Sequence, residues 1–407
     1  MRIAEINMLH YGSTGKIMFG IADTARAQGH DVCTFSPKYY QRGCKPSYPR
    51  IKEHQYFGNK FENMVHLRLS QVTGLQGCFS LIGTCNLVRE LQKYKPDIIH
   101  LHNLHNWTVN LPILFRYIKK RQIPVVWTLH DCWAFTGKCP YFDIVQCEKW
   151  KTGCSHCPQV KMYPQAYVDA TKYLWGMKKR CFSGVQQLII VTPSQWLASL
   201  VSQSFLSIYQ VKVIHNGIDL NLFEPTKNNF RIQHQIPDNK KILLGVAFGW
   251  GHRKGLECFV KLSRELNSEQ YQIVLVGTDD CVDSTLPRNI LSIHATRNQQ
   301  ELAEIYSAAD LFVNPTLEDN FPTVNIEALA CGTPVLTYRT GGSAEILDTK
   351  SGVVVEYGDY AALKREIVRI CTTRPFRKID CVRRAKQFDQ QDRFREYVNL
   401  FRELIEK

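Results

Sequence analysis

The feature that most constrains this chain is the alternation of short apolar, β-branched segments with longer segments of helical periodicity. Segments 96–101 and 124–129 are predicted to be buried strands, and segment 111–120 between them has the apolar spacing of a helix. The same alternation begins again at residue 241 and continues to about residue 337. It predicts an α/β fold with parallel sheets, and its restart predicts two doubly wound, Rossmann-like halves.

The boundary between the halves is predicted near residue 220. An Asn-Gly turn signal stands at Asn216 and Gly217, and segment 221–238 is polar with two prolines. We therefore expect an N-terminal domain of residues 1–219, a second domain of residues 220–388 and a final helix within residues 389–407. This helix can pack back on either domain, and the first is the expected one. Its apolar face consists of Phe394, Tyr397, Val398, Phe401 and Leu404.

Composition and charge exclude several classes of protein. Hydrophobic residues make up 44% of the 407 residues, enough for two ordinary cores, so a largely disordered chain is excluded. No apolar stretch reaches the roughly 18 residues that span a bilayer, and the start of the chain does not resemble a signal peptide. We therefore expect a cytoplasmic protein whose 15 cysteines are reduced thiols or metal ligands. The net charge of +14 predicts an anionic partner: phosphate, nucleic acid or an acidic membrane surface.

The strongest chemical signal lies between residues 306 and 335. A strand ends at Asn314, a loop carries Glu318 and Asp319, and a helix begins near Pro322. The carboxyl ends of strands in doubly wound sheets are where ligands bind, and the first-turn amides of a helix attract an anion. A diphosphate suits this position, with Glu327 accepting hydrogen bonds from ribose and Asp319 from a sugar. The alternative is a pair of N-capping acids and a solvated Glu327.

These motifs resemble the retaining glycosyltransferases of family 4, which have the GT-B architecture of two facing Rossmann-like domains. The resemblance covers most of residues 190–360. Its motifs are Asn216-Gly217-Ile218-Asp219 with Phe223, Arg253-Lys254-Gly255, Val276-Gly277, Ala308-Ala309-Asp310, Asp319 with Glu327 and Ala328, Gly332-Thr333-Pro334-Val335 and Gly341-Gly342. The first half matches through residues 12–15, the strand at 97–100 and His130.

The resemblance implies a nucleotide-sugar donor on the second domain, an acceptor on the first, and front-face attack without a catalytic metal or a protein nucleophile. The catalytic residues that it predicts are Arg253, Lys254, Asp319, Glu327 and His130. Those predicted to bind the donor are Gly15, Asn216, Gly277, Glu318, Asn320, Phe321, Pro322, Thr323, Val324 and Glu327. The family usually has Glu where this chain has Asp319, preceded by Glu318, so either can be the residue that meets the donor sugar. It also has an Arg where this chain has Phe248, and Arg253 is a candidate substitute.

Three of these predictions have local alternatives. Arg253 and Lys254 can neutralise a diphosphate, whereas by themselves they would be a solvated pair. His130 ends a strand, at an edge predicted to face the cleft between the domains, and can contact a sugar hydroxyl or be a structural histidine. Gly15 precedes Lys16 as in a nucleotide P-loop, but the first glycine of that motif is absent and Ile17 replaces its hydroxyl residue. A glycine turn at a helix N-terminus still permits close approach by a substrate.

A cysteine-rich insertion follows His130, at residues 132–157. Four of its cysteines can form a tetrahedral structural zinc site, with residues 154 and 157 as a C-x-x-C arm. The alternative is a set of small buried hydrophobic residues. The four candidate ligands are Cys139, Cys147, Cys154 and Cys157.

The leading hypothesis is a bacterial glycosyltransferase of surface polysaccharide biosynthesis, such as capsule or exopolysaccharide, whose acceptor is a glycan or a polyprenyl-diphosphate-linked glycan. The rivals are a zinc-containing nucleic-acid-binding protein and a catalytically silent GT-B relative. No nucleic acid is expected as a partner, because the basic residues are spread along the chain. Peripheral contact with the inner face of the cell membrane is a further hypothesis, and a solvated helix face is its alternative. The basic residues that suggest it are Arg116, Lys119, Lys120, Arg121, Lys178, Lys179 and Arg180.

Overall fold

The chain forms two compact units. The computed structural model describes residues 1–38, 53–105 and 107–406. The first unit consists of Met1–Ile214 together with Arg393–Lys407, and the second of His215–Asp392. The division falls between Ile214 and His215, directly before the Asn-Gly turn that the sequence marks near residue 220, and most of the last helix belongs to the first unit. Residue 407, included in the predicted helix, lies outside the described residues.

The first unit contains a seven-stranded sheet in which every described strand pairing is parallel, in the order β3-β2-β1-β4-β5-β6-β7. Its strands are β1 (Arg2–Ile6), β2 (Asp31–Pro37), β3 (His54–Phe57), β4 (Ile98–Leu101), β5 (Val125–Thr128), β6 (Leu188–Thr192) and β7 (Gln210–Val213). Its helices are α1 (Gly12–Ala27), α2 (Lys60–Thr73), α3 (Leu81–Tyr94), α4 (Leu111–Arg121), α5 (Thr171–Phe182), α6 (Gln195–Ser202) and α15 (Gln390–Ile405), with 3₁₀ turns at Trp133–Phe135 and Lys149–Lys151.

The central strands of this sheet are buried on both faces, as helices on both sides of a parallel sheet require. Side chains alternate between the faces. Ile99 and Leu101 of β4 join the core that α3, α4 and α5 cover. Ile98 joins a second core, which contains residues of α1 and α15.

Helix α15 completes the second face of the first sheet. The five residues that the sequence placed on its apolar face are buried, and they pack in one cluster with residues of β1, β5 and β6. Gly20 of α1 gives Phe394 room, because a Cβ at Gly20 would lie 2.3 Å from the ring of Phe394. The last segment of the chain is therefore part of the core of the first unit.

The second unit contains a six-stranded parallel sheet in the order β10-β9-β8-β11-β12-β13. Its strands are β8 (Lys241–Val246), β9 (Tyr271–Val276), β10 (Ile290–Ile293), β11 (Leu311–Asn314), β12 (Val335–Tyr338) and β13 (Gly352–Val355). Its helices are α7 (Phe230–Gln233), α8 (Leu256–Glu265), α9 (Asp280–Asp283), α10 (Gln299–Ala308), α11 (Thr323–Ala330), α12 (Ser343–Ile346), α13 (Tyr360–Thr373) and α14 (Lys378–Ala385), with 3₁₀ turns at His252–Lys254 and Lys386–Phe388.

The strand order of each sheet reverses at one place, between β1 and β4 in the first unit and between β8 and β11 in the second. Loops that leave the carboxyl ends of strands at such a switch point diverge and leave room for a ligand. The predicted doubly wound architecture is confirmed. Among the helices that the structure describes, none combines the length and the apolar character needed to cross a bilayer.

Phe401→Ala tests the contribution of α15 to the first unit. The side chain is fully buried, so we expect the free energy of unfolding to fall by about 3–5 kcal/mol, the usual cost of truncating a buried Phe. Urea unfolding of this variant is compared with that of Asn399→Ala, an exposed position on the same helix. Equal stability of the two variants would contradict the packing of α15.

Candidate functional site

In the second unit, the loop that follows β8 is joined to the loop that follows β11. The Arg253 Nη1 donates to the carbonyl oxygen of Glu318 at 3.1 Å, and the Lys254 Nζ lies 2.5 Å from Asp319 Oδ2. The backbone connects the same loops, since the Leu317 N–H donates to the Arg253 carbonyl at 2.8 Å. The two predicted cations and the two predicted acids therefore belong to one cluster.

Glu318 and Asp319 have different surroundings although they are adjacent in sequence. Glu318 is 5% exposed. The Asp319 carboxylate pairs with Lys254 and retains 17% of its side-chain exposure. Gly341 allows this arrangement, because a Cβ there would lie 1.8 Å from the Asp319 carbonyl oxygen and its φ of +51° is in the left-handed region.

Helix α11 begins directly after this loop. Its N-cap residue, Pro322, provides no side-chain hydrogen bond to the first turn, so the partial positive charge of this helix end is not neutralised by a cap. Phe321 is buried and stacks on His215, with ring centroids 4.8 Å apart. Asn320 is buried, whereas Thr323 and Val324 are half-buried. The predicted donor-binding residues 320–324 thus form the entrance to α11.

Glu327 lies in the second turn of α11 and already has a partner. Its Oε2 accepts a hydrogen bond from the hydroxyl of Tyr306 at 3.0 Å. Tyr306 is fully buried, and burial together with the neighbouring Glu327 raises the pKa of its hydroxyl well above the usual range. The hydroxyl therefore stays protonated and holds the Glu327 carboxylate in place.

Two further residues predicted to bind the donor lie at the edges of this region. Gly277 follows β9, and a Cβ there would lie 1.8 Å from the carbonyl oxygen of Ala247 at the end of β8. Asn216 is half-buried and adjoins His215. Phe248, which stands where the resemblance expects Arg, is 94% exposed.

In the first unit, the predicted residues Gly15 and His130 lie on α1 and after β5. Gly15 packs on the preceding turn, since a Cβ there would be 2.8 Å from the carbonyl carbon of His10. The sequence pattern predicts a helix from about Lys16 to Gln28, whereas α1 begins at Gly12. The glycine-bearing segment is therefore the first turn of the helix. His130 is half-buried, and burial lowers the pKa of its imidazole to about 4.

Sequence reasoning missed the buried polar groups behind His130. Glu5 of β1 and His100 and His102 of β4 and its end are fully buried. The His102 Nδ1 lies 3.1 Å from His130 Nε2, and the His102 Nε2 lies 3.0 Å from Glu5 Oε2. A glutamate within the otherwise apolar segment Ile3–Ile6 was the available signal, because an unpaired buried carboxylate would be costly.

The four cysteines predicted to bind zinc line one small cavity, which also borders Lys138 and Trp150. The Cys154 Sγ accepts a hydrogen bond from the Gly137 N–H at 3.1 Å. No three of their sulfur atoms lie within 4.8 Å of one another; within the described ranges, the one group of metal-ligand types that meets this spacing is Glu5, His100 and His102. Zinc binding by the cysteines therefore requires the thiols to move together.

One of the basic positions considered for membrane contact, Lys178, is contradicted by the packing. Lys178 is fully buried, with its Nζ donating to the Trp133 carbonyl at 2.6 Å and to the Thr136 carbonyl at 3.1 Å. Burial lowers the pKa of this amine to about 7. The apolar neighbours of the basic cluster on α4 lie in the core, and Lys119 donates to the Arg180 carbonyl at 2.9 Å. These apolar residues are not available to a lipid surface.

The cluster in the second unit is suited to binding an anion next to groups that accept hydrogen bonds from hydroxyls. Arg253, Lys254 and the uncapped start of α11 supply positive potential, and Asp319 and Glu327 supply acceptors. Such fixed positive groups stabilise charge that develops on a departing diphosphate. The chemistry it supports is group transfer from a phosphorylated, hydroxyl-rich substrate.

Comparison with known proteins agrees with this geometry. The family described as Glycosyltransferase Family 4 matches residues 15–222, which is more than half of the chain. The family described as Glycosyl transferases group 1 matches residues 240–373. WcaC of Escherichia coli (strain K12), assigned to colanic acid biosynthesis as a glycosyl transferase, is 26% identical over 424 residues, with 99% of this chain and 100% of WcaC covered.

Two solved structures illustrate the shared fold. Sucrose-phosphate synthase from Thermosynechococcus elongatus matches with a TM-score of 0.68 and 19% identity, over 99% of this chain and 98% of that one. Alr3699/HepE of Anabaena, in complex with UDP-glucose, matches with a TM-score of 0.67 and 16% identity, over 99% and 100% of the two chains.

The predicted GT-B fold and the predicted glycosyltransferase activity are thereby confirmed, and the nucleic-acid-binding alternative loses its support. The motifs of the second half and the match to the first half lead to the same assignment. This chain belongs to glycosyltransferase family 4.

Proposed function

We propose that this protein transfers a hexose from a nucleotide-sugar donor to a glycan acceptor, with retention of anomeric configuration, in the biosynthesis of a surface polysaccharide. The observation that carries the proposal is the cluster of Arg253, Lys254 and Asp319 beside the uncapped start of α11 in the second unit. The similarity to WcaC, which is assigned to colanic acid biosynthesis, supports a polysaccharide as the product of the pathway. The UDP-glucose complex of HepE supports a nucleotide sugar as the donor.

The donor binds to the second unit through two kinds of contact. Its diphosphate lies against the amides that begin α11 and receives the positive charges of Arg253 and Lys254. Its ribose hydroxyls donate to Glu327, whose carboxylate Tyr306 orients. As the bond to the sugar breaks, negative charge accumulates on the diphosphate, so these groups stabilise the transition state more than the ground state. No metal ion is required for this step, and the step uses no protein nucleophile.

Between the two acids, Asp319 is the one that meets the donor sugar. Its carboxylate keeps some exposure and is held 2.5 Å from Lys254 Nζ, whereas Glu318 is buried and offers its backbone carbonyl to Arg253. The Lys254 ammonium also offsets the negative charge of Asp319, which would otherwise repel the diphosphate. Lys254 therefore both holds the Asp319 carboxylate and attracts the diphosphate leaving group.

The acceptor is a glycan, carried on a polyprenyl diphosphate, and the enzyme meets it at an anionic membrane surface. Helix α2 offers a better apolar contact than the buried face of α4, because Phe61 and Val72 are 70% and 60% exposed. Met64, Val65 and Leu69 complete an exposed stripe at helical spacing, and Lys60 and Arg68 flank it. Each Lys or Arg near anionic lipid contributes about 1 kcal/mol to binding.

The cysteine-rich insertion holds one structural zinc ion. The convergence of four cysteines on one cavity supports this proposal, and the Gly137 N–H directed at Cys154 resembles the hydrogen bonds that stabilise coordinated thiolates. Four sulfur ligands would leave no open position for substrate. Such an ion would rigidify the segment that follows His130 and take no part in the transfer step.

The proposed function predicts the kinetics of variants in the second unit. Lys254→Ala and Arg253→Ala should each raise the transition-state free energy by about 2–4 kcal/mol, by analogy with the loss of an oxyanion-hole donor. Turnover of radiolabelled UDP-, GDP- and ADP-sugars measures this, with Lys350→Ala, an exposed lysine of the same unit, as the matched control. Less than a fivefold loss for both variants would exclude them from the diphosphate site, and no turnover of any donor by the unaltered protein would favour a silent relative.

Glu327 is tested by two substitutions. The sequence alone predicts that Glu327→Ala abolishes transfer with little loss of stability. The structure adds a second effect: without Glu327, the buried hydroxyl of Tyr306 loses its hydrogen-bond acceptor, which should lower the free energy of unfolding by about 1–3 kcal/mol. Glu327→Gln retains an oxygen for Tyr306, so it should unfold at a temperature close to that of the unaltered protein and still lose most of its donor affinity. Unchanged affinity in Glu327→Gln would remove the ribose contact from the proposal.

Membrane contact predicts sedimentation with phosphatidylglycerol vesicles at low salt and release at high salt. Replacing Phe61 and Val72 by Ser should weaken the apolar contribution to vesicle binding. Replacing Lys119, Lys120 and Arg121 by Gln should weaken its electrostatic contribution. Ile232→Ser, an exposed apolar position of the second unit, is the control. Binding that is absent, or insensitive to salt and to all of these changes, would favour an acceptor free in solution.

Protein purified without oxygen should contain about one zinc ion per chain by elemental analysis, and Cys154→Ser should lose it. Cys281→Ser, an exposed cysteine of the second unit, should retain it. Transfer should continue in EDTA that removes free Mg²⁺. Zinc-free protein would refute the site, and turnover that depends on added Mg²⁺ or Mn²⁺ would refute the metal-independent step.

A further inference from the structure

Lys178 of α5 is a fully buried amine to which the proposed function gives no role. Its Nζ donates to the carbonyls of Trp133 and Thr136 at 2.6 and 3.1 Å and lies 3.4 Å from the centroid of the Trp133 ring. These contacts suit an ammonium, because carbonyl oxygens and the face of an indole carry negative potential. In the part of the chain that the structure describes, no carboxylate forms an ion pair with Lys178, and Asp131, which acts on it electrostatically, pairs with His105. A lysine is almost never fully buried without a paired anion.

One peptide group connects this amine to the cysteine-rich insertion. The Thr136 carbonyl accepts from Lys178, and the N–H of the same peptide, that of Gly137, donates to Cys154 Sγ at 3.1 Å. Hydrogen bonds in series polarise one another, so positive charge on the amine strengthens the hydrogen bond to the sulfur. Burial lowers the pKa of the amine to about 7, and the thiolates of Cys154 and Cys139 oppose this shift most. The charge of Lys178 is therefore coupled to that of the cysteines.

The small cavity that the four cysteines line is positive on its other sides. Lys138 and Lys149 border it, and none of its described lining residues is acidic. Lys138 is 3% exposed, and its Nζ donates to three backbone carbonyls within segment 159–162. Lys149 is exposed and donates to the two carbonyls between the cysteines of the C-x-x-C arm. Two buried amines and one exposed amine thus surround the cysteines.

Acids offset this positive potential only in part. Asp169 accepts the Cys157 N–H at 2.8 Å, and Glu148 pairs with Lys151 at the surface. A zinc ion bound by four thiolates is an anion overall, whereas four thiols or two disulfides are neutral. Buried ammonium groups lower the energy of an anionic centre and give no such gain to a neutral one. The surroundings of the cysteines therefore favour the metal-bound, thiolate form.

We propose that Lys138 and Lys178 are positioning residues that compensate the negative charge of a zinc–tetrathiolate centre in the cysteine-rich insertion. This rests on the zinc ion of the proposed function and assigns the residues outside the ligand set that determine its affinity. No three of the four sulfur atoms lie within 4.8 Å of one another, so zinc binding brings four thiolates closer together. Lys178, through the Gly137 N–H, and Lys138, at the cavity wall, reduce the repulsion that this movement creates.

Zinc affinity is the direct measurement. The full chain, reduced and freed of metal, competes with a chromophoric chelator for Zn²⁺. Lys178→Gln keeps N–H donors for the two carbonyls and removes the charge, so it should bind zinc about 10- to 100-fold more weakly, the usual effect of losing a group that supports the ligands. Lys149→Gln should weaken binding about threefold or less, because water screens an exposed ammonium. Lys172→Gln, exposed on the same helix as Lys178, is the matched control and should leave the affinity unchanged.

Cobalt supplies the second readout. Co²⁺ bound in place of Zn²⁺ has a sulfur-to-metal charge-transfer band whose intensity follows the number of thiolate ligands. At saturating Co²⁺ we expect the spectrum of four thiolates in the unaltered protein and in Lys178→Gln, because the lysine changes the affinity and not the ligand set. A merely structural role would lower the unfolding temperature of metal-free Lys178→Gln and leave the zinc affinity of the folded protein unchanged.

The outcomes separate this proposal from the zinc site and from the transfer reaction. Equal zinc affinity in the unaltered protein and in folded Lys178→Gln would overturn the charge compensation and leave the zinc site in place. No uptake of Zn²⁺ by the unaltered protein, or disulfides among the four cysteines after purification without oxygen, would overturn both. If Lys178→Gln does not fold, Lys138→Gln takes its place, and unchanged affinity there would overturn the proposal. Failure of the transfer reaction leaves these measurements unaffected.

Discussion

The structure depends on the burial of parallel strands on both faces. Every residue of strands such as Ile98–Leu101 and Leu188–Thr192 is buried, so helices must cover both faces of each sheet. In the first unit, α15 completes the helical layer on the second face of the sheet. Its residues Phe394, Tyr397 and Phe401 come from the end of the chain. Because strands covered in this way leave room for ligands only beyond their ends, the chemistry of both units lies in the loops that follow them.

In the second unit, those loops are held by contacts between charged groups and backbone. Arg253 binds the carbonyl of Glu318, and Lys254 pairs with Asp319. These contacts hold two cations near the start of α11. Under the proposed function, such preorganisation would lower the reorganisation needed during transfer. Burial of Tyr306 does the same for Glu327.

In the first unit, an ionisable group lies within the core instead of at its edge. Glu5 is buried in a strand of apolar neighbours, and its hydrogen bond to His102 compensates part of the cost of desolvation. Buried polar chains of this kind specify geometry more than they add stability.

Local pattern was sufficient for much of the fold. The sequence predicts strands at 188–192 and 311–314, which are the bounds of β6 and β11. The strands predicted at 241–247 and 272–276 differ from β8 and β9 by one residue at one end, and the strand predicted at 334–337 differs from β12 by one residue at each end. The short strand β3, in which His54 is half-buried and Gln55 and Tyr56 are exposed, lacks the apolar run that marks a buried strand. The first turn of α1 was also missed, because glycine and serine at its start favour a turn when only neighbours in sequence are considered.

The sequence by itself determined the type of fold and the family, and it singled out the segments of the candidate site, because periodicity and motif spacing are properties of neighbours along the chain. Tertiary structure alone decided that Lys178 is buried, that the apolar face of α4 belongs to the core and that Glu327 is held by Tyr306. It also brought Glu5, His102 and His130 together across three strands that are distant in sequence. Burial and hydrogen bonding depend on which distant segments pack against one another, and a linear pattern does not contain that information.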